Sequence, residues 1–205
     1  MRIHTFPLGP LETNCYLLVQ GEEAVAVDPG GNPASVVHYL KTHNLKLAAI
    51  LNTHMHFDHV LGNADLAGAT GAPIYANTLD DFLLDSELGS GGGVGLPKTP
   101  PFKHEPLEES DTEFMGQRCK VLLTPGHTPG SLSFYFPESN AVFAGDVLFY
   151  RSVGRTDLPG GDGNTLRASI RKKLFTLPED TVVYPGHGQS TTIGAEQRGN
   201  PFIGV

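Results

Sequence analysis

The sequence predicts an α/β chain made of two β-rich halves, each with helices packed outside its strands. Three observations carry that reading. Short apolar runs alternate with helix-like stretches and turn signals from end to end, strand runs fall both before and between helices, and no short repeat or low-complexity tail interrupts them. At 205 residues the chain fits one domain, 1–205, and can bury a full core without staples.

In order along the chain, Asn14 to Gln20 and Ala24 to Val27 read as paired strands joined by Gly21-Glu22-Glu23. The second strand runs into Asp28-Pro29-Gly30-Gly31, a tight turn. Asn32 or Pro33 then opens a helix to about Asn44, with Pro33 tolerated in its first turn. Lys46 to Asn52 is a buried strand, Gly62 to Ala69 a short helix, Pro73 to Ala76 a strand, and Thr78 to Ser86 a helix beginning at an N-cap threonine. From Leu88 to Pro106 the chain is too rich in Gly and Pro to hold regular structure, and Gly89 to Gly95 reads either as a plain loop or as a mobile flap beside a site. The second half places strands at Arg118 to Leu123, Ser131 to Phe136, Ala141 to Ala144 and Thr181 to Tyr184, with a helix from about Thr165 to Thr176.

Composition narrows the function. With 22 acidic and 14 basic residues the formal net charge is -8, and no basic stripe is present, which argues against a nucleic-acid binder. The start, Met1-Arg2-Ile3-His4-Thr5-Phe6-Pro7, has no signal-peptide pattern, and no run approaches the roughly 18 apolar residues that span a membrane. The expectation is a cytoplasmic protein with no membrane partner. Cys15 and Cys119 lie far apart with no CxxC pairing, which suits two free thiols in a reducing compartment.

Chemistry concentrates at strand ends. Thr53-His54-Met55-His56-Phe57-Asp58-His59 follows the apolar run Leu47 to Leu51 and packs three imidazoles and a carboxylate into seven residues. Neutral imidazole and carboxylate are preferred ligands of borderline divalent metals, and crowding them at a strand end serves no packing purpose. Three further strand ends repeat the theme: Pro125-Gly126-His127, Ala144-Gly145-Asp146 and Pro185-Gly186-His187. In each, a glycine lets the backbone approach closely and turn the ligand toward a shared centre. His4, His38, His43 and His104 have no assigned role.

His54, His56, Asp58 and His59 form an HxHxDH signature, and with His127, Asp146 and His187 in order downstream the chain resembles the metallo-β-lactamase fold superfamily. The resemblance implies an αββα sandwich of two mixed β-sheets with helices on the outer faces and two metals in a cleft at the sheet edges. It puts His54, His56 and His127 on one metal, Asp58, His59 and His187 on the other, and Asp146 between them. Tyr184 to Gly188, Thr191 to Gly194, Asn200-Pro201-Phe202 and Gly145 to Phe149 with Val153-Gly154-Arg155 resemble small glyoxalase II-like hydrolases. This implies two divalent ions, zinc first with iron or manganese as alternatives, and hydrolysis of a small-molecule thioester of the S-2-hydroxyacylglutathione kind. Asp58 would both ligate and orient the attacking water.

The resemblance is incomplete at the substrate. Glutathione-binding relatives carry a basic residue nine positions after the bridging Asp, a tyrosine two further on and another two after the last His. Here these are Arg155, Asp157 and Gln189. Arg155 is therefore the candidate substrate contact, or else an ion pair with Asp157 or Asp162. The helical domain that follows in the larger enzymes has no counterpart after Phe202. Gly154-Arg155-Thr156-Asp157 also resembles mononuclear iron persulfide dioxygenases, and a lactonase or other ester hydrolase would use the same centre.

Overall fold

The computed structural model describes residues 1–203, with only the backbone of Val94. They divide into two compact units, residues 1–107 with 113–116, and residues 108–112 with 117 onward. The first unit carries a six-stranded mixed sheet of β1 (Arg2–Leu8), β2 (Thr13–Gln20), β3 (Glu23–Val27), β4 (Lys46–Leu51), β5 (Ile74–Ala76) and β6 (Glu105–Pro106), in that order. The first three strands are antiparallel, and β3 to β6 are parallel. Parallel neighbours need a crossover, and helix α1 (Ala34–Thr42) supplies it between β3 and β4. Val36 and Leu40 of α1 join Leu66 of the helix Asn63–Thr70 against Cys15, Leu17, Val19, Ala24, Ala26 and Ile50 of the sheet.

The second unit repeats the arrangement. Its sheet runs in the order Thr191–Thr192, Val182–Pro185, Ala141–Gly145, Leu132–Phe136, Gln117–Leu123, Ser110–Phe114. Ala141–Gly145 and Val182–Pro185 are parallel neighbours, and the helix Gly163–Lys172 lies in the crossover between them. The Asp162 carboxylate caps that helix by accepting from the Thr165 N–H at 2.6 Å, and Arg171 and Lys172 sit in its last turn, where positive charge complements the dipole. Leu166, Ile170 and Leu174 bury against Val142, Ala144 and Val183, with Ile193 of the helix Ile193–Gly199 beside them. Burying a Leu or Ile in this way stabilises by roughly 1.5–3 kcal/mol.

Arg2–Leu8 is a strand that the sequence reading leaves unassigned, and Pro7 is tolerated there because a sheet edge leaves room for a residue with no N–H. Three sequence expectations are corrected. Residues 78–86 form a 3₁₀ turn, Thr78–Asp80, and one α turn, Asp81–Leu84. The cap is Asn77, whose side chain accepts from the Leu79 N–H at 3.0 Å. The helix expected from Thr165 to Thr176 starts at Gly163 and passes into a 3₁₀ turn at Leu174–Thr176. The Gly-rich stretch does hold regular structure: a turn of helix at Glu87–Ser90, a 3₁₀ turn at Gly93–Gly95 and a bridge between Gly91 and Lys98. Buried Thr99 closes it, giving its N–H to Ser90 at 2.8 Å and its hydroxyl to the Gly89 carbonyl at 2.9 Å.

Candidate metal centre

In the first unit, parallel pairing brings the end of β3 beside the end of β4, with Val27 opposite Leu51. The residue after β3 is Asp28, whose N–H reaches the Leu51 carbonyl at 3.0 Å. Its carboxylate accepts from the Thr53 N–H at 2.7 Å, the Thr53 hydroxyl at 2.6 Å and His59 Nδ1 at 2.9 Å. Asp28 adopts φ 51°, a left-handed conformation that Asp tolerates better than most residues. Its role was missed in the sequence, where it reads as the first residue of a turn. A carboxylate at the end of a buried strand, the same sign that marked Asp146, was the available signal.

The segment from Asn52 to His56 has no regular structure, with Thr53 in a bend and His56 extended ahead of the next helical turn. Met55 is fully buried with Val60, Ala76 and Leu83, and its N–H points to an Asp80 carboxylate oxygen at 3.3 Å. This pins the segment and leaves the imidazoles grouped. His54 and His56 meet edge to face at 4.8 Å between centroids, and His54 and His59 lie 4.0 Å apart. Phe57–Val60 is a single helical turn that swings Asp58 and His59 back toward them. Asn52 supports this turn, donating to the His59 carbonyl at 3.3 Å and exchanging amide hydrogen bonds with Asn63. Gly30 matters for contact rather than charge, since a Cβ there would fall 1.8 Å from the Asp58 carbonyl oxygen.

Hydrogen-bond accounting sets the tautomers. The Thr53 hydroxyl has one proton and gives it to Asp28, so its 3.1 Å contact with His54 Nδ1 is an N–H donated by the ring. His59 Nδ1 donates to Asp28 in the same way. Both rings therefore carry their lone pair on Nε2, the state a metal ligand requires.

In the second unit the same parallel logic applies. Gly145 registers against Pro185, and the Gly186 N–H reaches the Gly145 carbonyl at 2.8 Å, so Asp146 and His187 emerge side by side. His127 sits in a turn tied by the Thr124 and Ser133 hydroxyls at 2.9 Å and the Thr128 and Ser131 hydroxyls at 2.7 Å. Its Nδ1 donates to the Arg155 carbonyl at 2.8 Å, which again leaves the lone pair on Nε2. His127 Nε2 and His187 Nε2 each lie 3.7 Å from Asp146 Oδ2. In the first unit His59 Nε2 lies 3.6 Å from Asp58 Oδ2.

These separations exceed a hydrogen bond of about 2.7–3.2 Å. They suit donors sharing an ion, since bonds of about 2.1 Å at tetrahedral angles put two ligand atoms about 3.4 Å apart. Donor type, tautomer and spacing all fit divalent metal ions. All seven residues expected from the sequence thus gather into two donor sets, His54, His56, Asp58 and His59 in one unit and His127, Asp146 and His187 in the other.

Arg155 contributes its carbonyl to His127, while its guanidinium forks onto Asp157 at 2.8 and 2.7 Å. That fork holds the Asp157 carboxyl down at about 2 and raises Arg155 above its ordinary value. Beside His187 lies an open groove of about 510 Å³ lined by Phe149, Tyr150, Ser152, Val153 and Gln189. Tyr150 faces this groove, whereas Arg151 turns away, giving its N–H to Glu196 at 3.0 Å and its guanidinium to the Gly199 carbonyl.

Residues 8–187 match the model of the metallo-β-lactamase superfamily. The hydroxyacylglutathione hydrolase GloC of Haemophilus influenzae is 38% identical over 208 residues, covering 99% of this chain and 98% of that protein. Among solved structures, BLEG-1 B3 metallo-β-lactamase superposes with a TM-score of 0.91 at 41% identity over 98% of this chain and 99% of that one. TTHA1623 in a di-iron-bound form gives 0.86 at 44% over 97% and 99%. ETHE1 from Myxococcus xanthus gives 0.75 at 29% over 98% and 84%.

Proposed function

Because this chain belongs to the metallo-β-lactamase superfamily and has its fold of two mixed sheets with helices, we propose that it is a binuclear metallohydrolase. Its substrate in this reading is a small-molecule thioester of the S-2-hydroxyacylglutathione kind. The observation that carries the reading is the set of imidazoles whose Nδ1 atoms are engaged by Asp28, Thr53 and the Arg155 carbonyl, so that each offers Nε2 to a cation. His54, His56 and His127 would hold one ion and Asp58, His59 and His187 the other, with Asp146 shared. Zinc is the first choice on ligand type, and the di-iron form of the relative at 44% identity supports iron beside it.

When bound, such a pair of cations lowers the pKa of a water from about 15.7 toward 7 and polarises a carbonyl. The chain's own contribution is orientation. Asp58 accepts a hydrogen bond from the attacking water and fixes its direction. A thioester suits this centre because a thiolate, with a conjugate-acid pKa of about 8.5, leaves without a general acid. The likeness to GloC supports the glutathione thioester. Arg155 is the candidate contact for a substrate carboxylate, which would have to replace Asp157 in the fork.

A second reading, a mononuclear iron persulfide dioxygenase, is favoured by the likeness to ETHE1 and by Gly154-Arg155-Thr156-Asp157. The two separate when metal-counted protein is offered S-lactoylglutathione, a lactone and β-lactam panel, and glutathione persulfide. The proposal expects hydrolysis of the first with kcat/KM above about 10⁴ M⁻¹s⁻¹. Oxygen uptake with the persulfide and no thioester turnover would replace it with the second reading.

A further inference from the structure

We infer that Thr13 is a positioning residue for Asp58, holding its carboxylate in the one orientation that serves both the metal and the attacking water. This rests on the role given to Asp58 above. Thr13 opens β2 and is completely buried, although a hydroxyl at the end of a strand is ordinarily solvated. Its Oγ1 lies 3.2 Å from Asp58 Oδ2, across 45 residues of sequence. The carboxylate has no proton to give, so the hydroxyl donates.

That donation has a consequence for geometry. An Asp carboxylate turns easily about its last torsion, which is broad and roughly two-fold. The oxygen that Thr13 holds is the same Oδ2 that lies 3.6 Å from His59 Nε2, so the hydrogen bond selects which oxygen faces the other donors. Once Oδ2 is fixed, the direction of Oδ1 is fixed with it.

The packing around this contact is independently tight. A Cβ on Gly30 would fall 2.8 Å from Thr13 Cβ and 1.8 Å from the Asp58 carbonyl oxygen. Three separate segments, the start of β2, the turn after β3 and the turn Phe57–Val60, therefore meet closely at Thr13 Cβ and the Asp58 backbone. Val matches Thr in shape and removes only the donor, whereas Ser keeps the donor and removes only a methyl. The pair of substitutions separates hydrogen bonding from packing.

The test uses metal-loaded Thr13→Val, Thr13→Ser and, as a control, Asp58→Asn, with two readouts. One is kcat and KM for S-lactoylglutathione. The other is the chelator concentration that strips metal from the folded protein, which needs no turnover. Thr13→Val is expected to lose roughly tenfold or more in kcat with KM within about twofold, and to release metal at about tenfold lower chelator, as befits a lost hydrogen bond to a charged group. Thr13→Ser is expected to stay within about threefold of the parent on both. If Thr13→Val fails to fold, Thr13→Ala compared with Thr13→Ser makes the same distinction. Thr13→Val behaving as the parent while Asp58→Asn is impaired overturns this inference alone. Equal damage in Thr13→Val and Thr13→Ser overturns it too, by making packing the cause. An Asp58→Asn protein with unchanged turnover and metal retention overturns the underlying reading and the inference with it.

Discussion

Asp28 does more for the candidate centre than any residue outside the donor set. One carboxylate in a left-handed backbone conformation accepts from Thr53 twice and from His59 once, and through Thr53 it also settles the His54 tautomer. Asp28→Asn keeps the backbone preference and the size but replaces one acceptor oxygen by a donor. It is expected to weaken metal binding about 10- to 100-fold, the usual cost of losing a partner behind a ligand, as measured by chelator competition. Arg155 and Asp157 make a different kind of pair, exposed and charge-assisted. The folded Asp157 carboxyl, at about 2, lies below its ordinary 3.8. Its contribution to stability is therefore present above pH 4 and lost as the pH falls toward 2. Thermal melts of the parent and Arg155→Ala should differ modestly above pH 4 and converge near pH 2, with the gap shrinking in high salt.

At the scale of elements, parallel pairing is what turns scattered residues into a site. Asp28 meets Thr53 because β3 and β4 run the same way, and Asp146 meets His187 because Ala141–Gly145 and Val182–Pro185 do. The helix Ile193–Gly199 anchors the other side of the second unit through buried Glu196. Its carboxylate accepts from the Thr191 hydroxyl at 2.6 Å, the Arg151 N–H at 3.0 Å and the Asn200 amide at 2.8 Å. Glu196→Ala leaves three donors short of an acceptor and is expected to cost about 3 kcal/mol in denaturant unfolding. The elements were unequally legible in the sequence. Strands buried on both faces, such as Thr13–Gln20, announced themselves as apolar runs. Arg2–Leu8 did not, because an edge strand with a proline and a half-exposed face carries a weak pattern. The glycine-rich stretch looks structureless in the sequence because its order comes from side-chain caps and from Thr99 nine and ten residues away, which composition does not register.

For the whole molecule, the seven candidate ligands stand out in the sequence because imidazole and carboxylate at the ends of apolar runs have few other uses, and their order resembles that of a known family. What could not be read was the layer behind them. Asp28, Thr13 and the Arg155 carbonyl act through contacts across 25 to 45 residues that no local pattern encodes. Cys15 and Cys119 match the expected free thiols, both buried, and burial pushes both thiols well above their ordinary range. Thiol titration should find neither reactive in the native protein and both reactive in denaturant. Among the described residues no helix is long and apolar enough to cross a membrane. The central proposal is that the chain holds two metal ions. Elemental analysis of metal bound per folded chain, after reconstitution with zinc or with iron and removal of excess, tests it most directly. Two ions per chain is the predicted result, and one ion or none would contradict it.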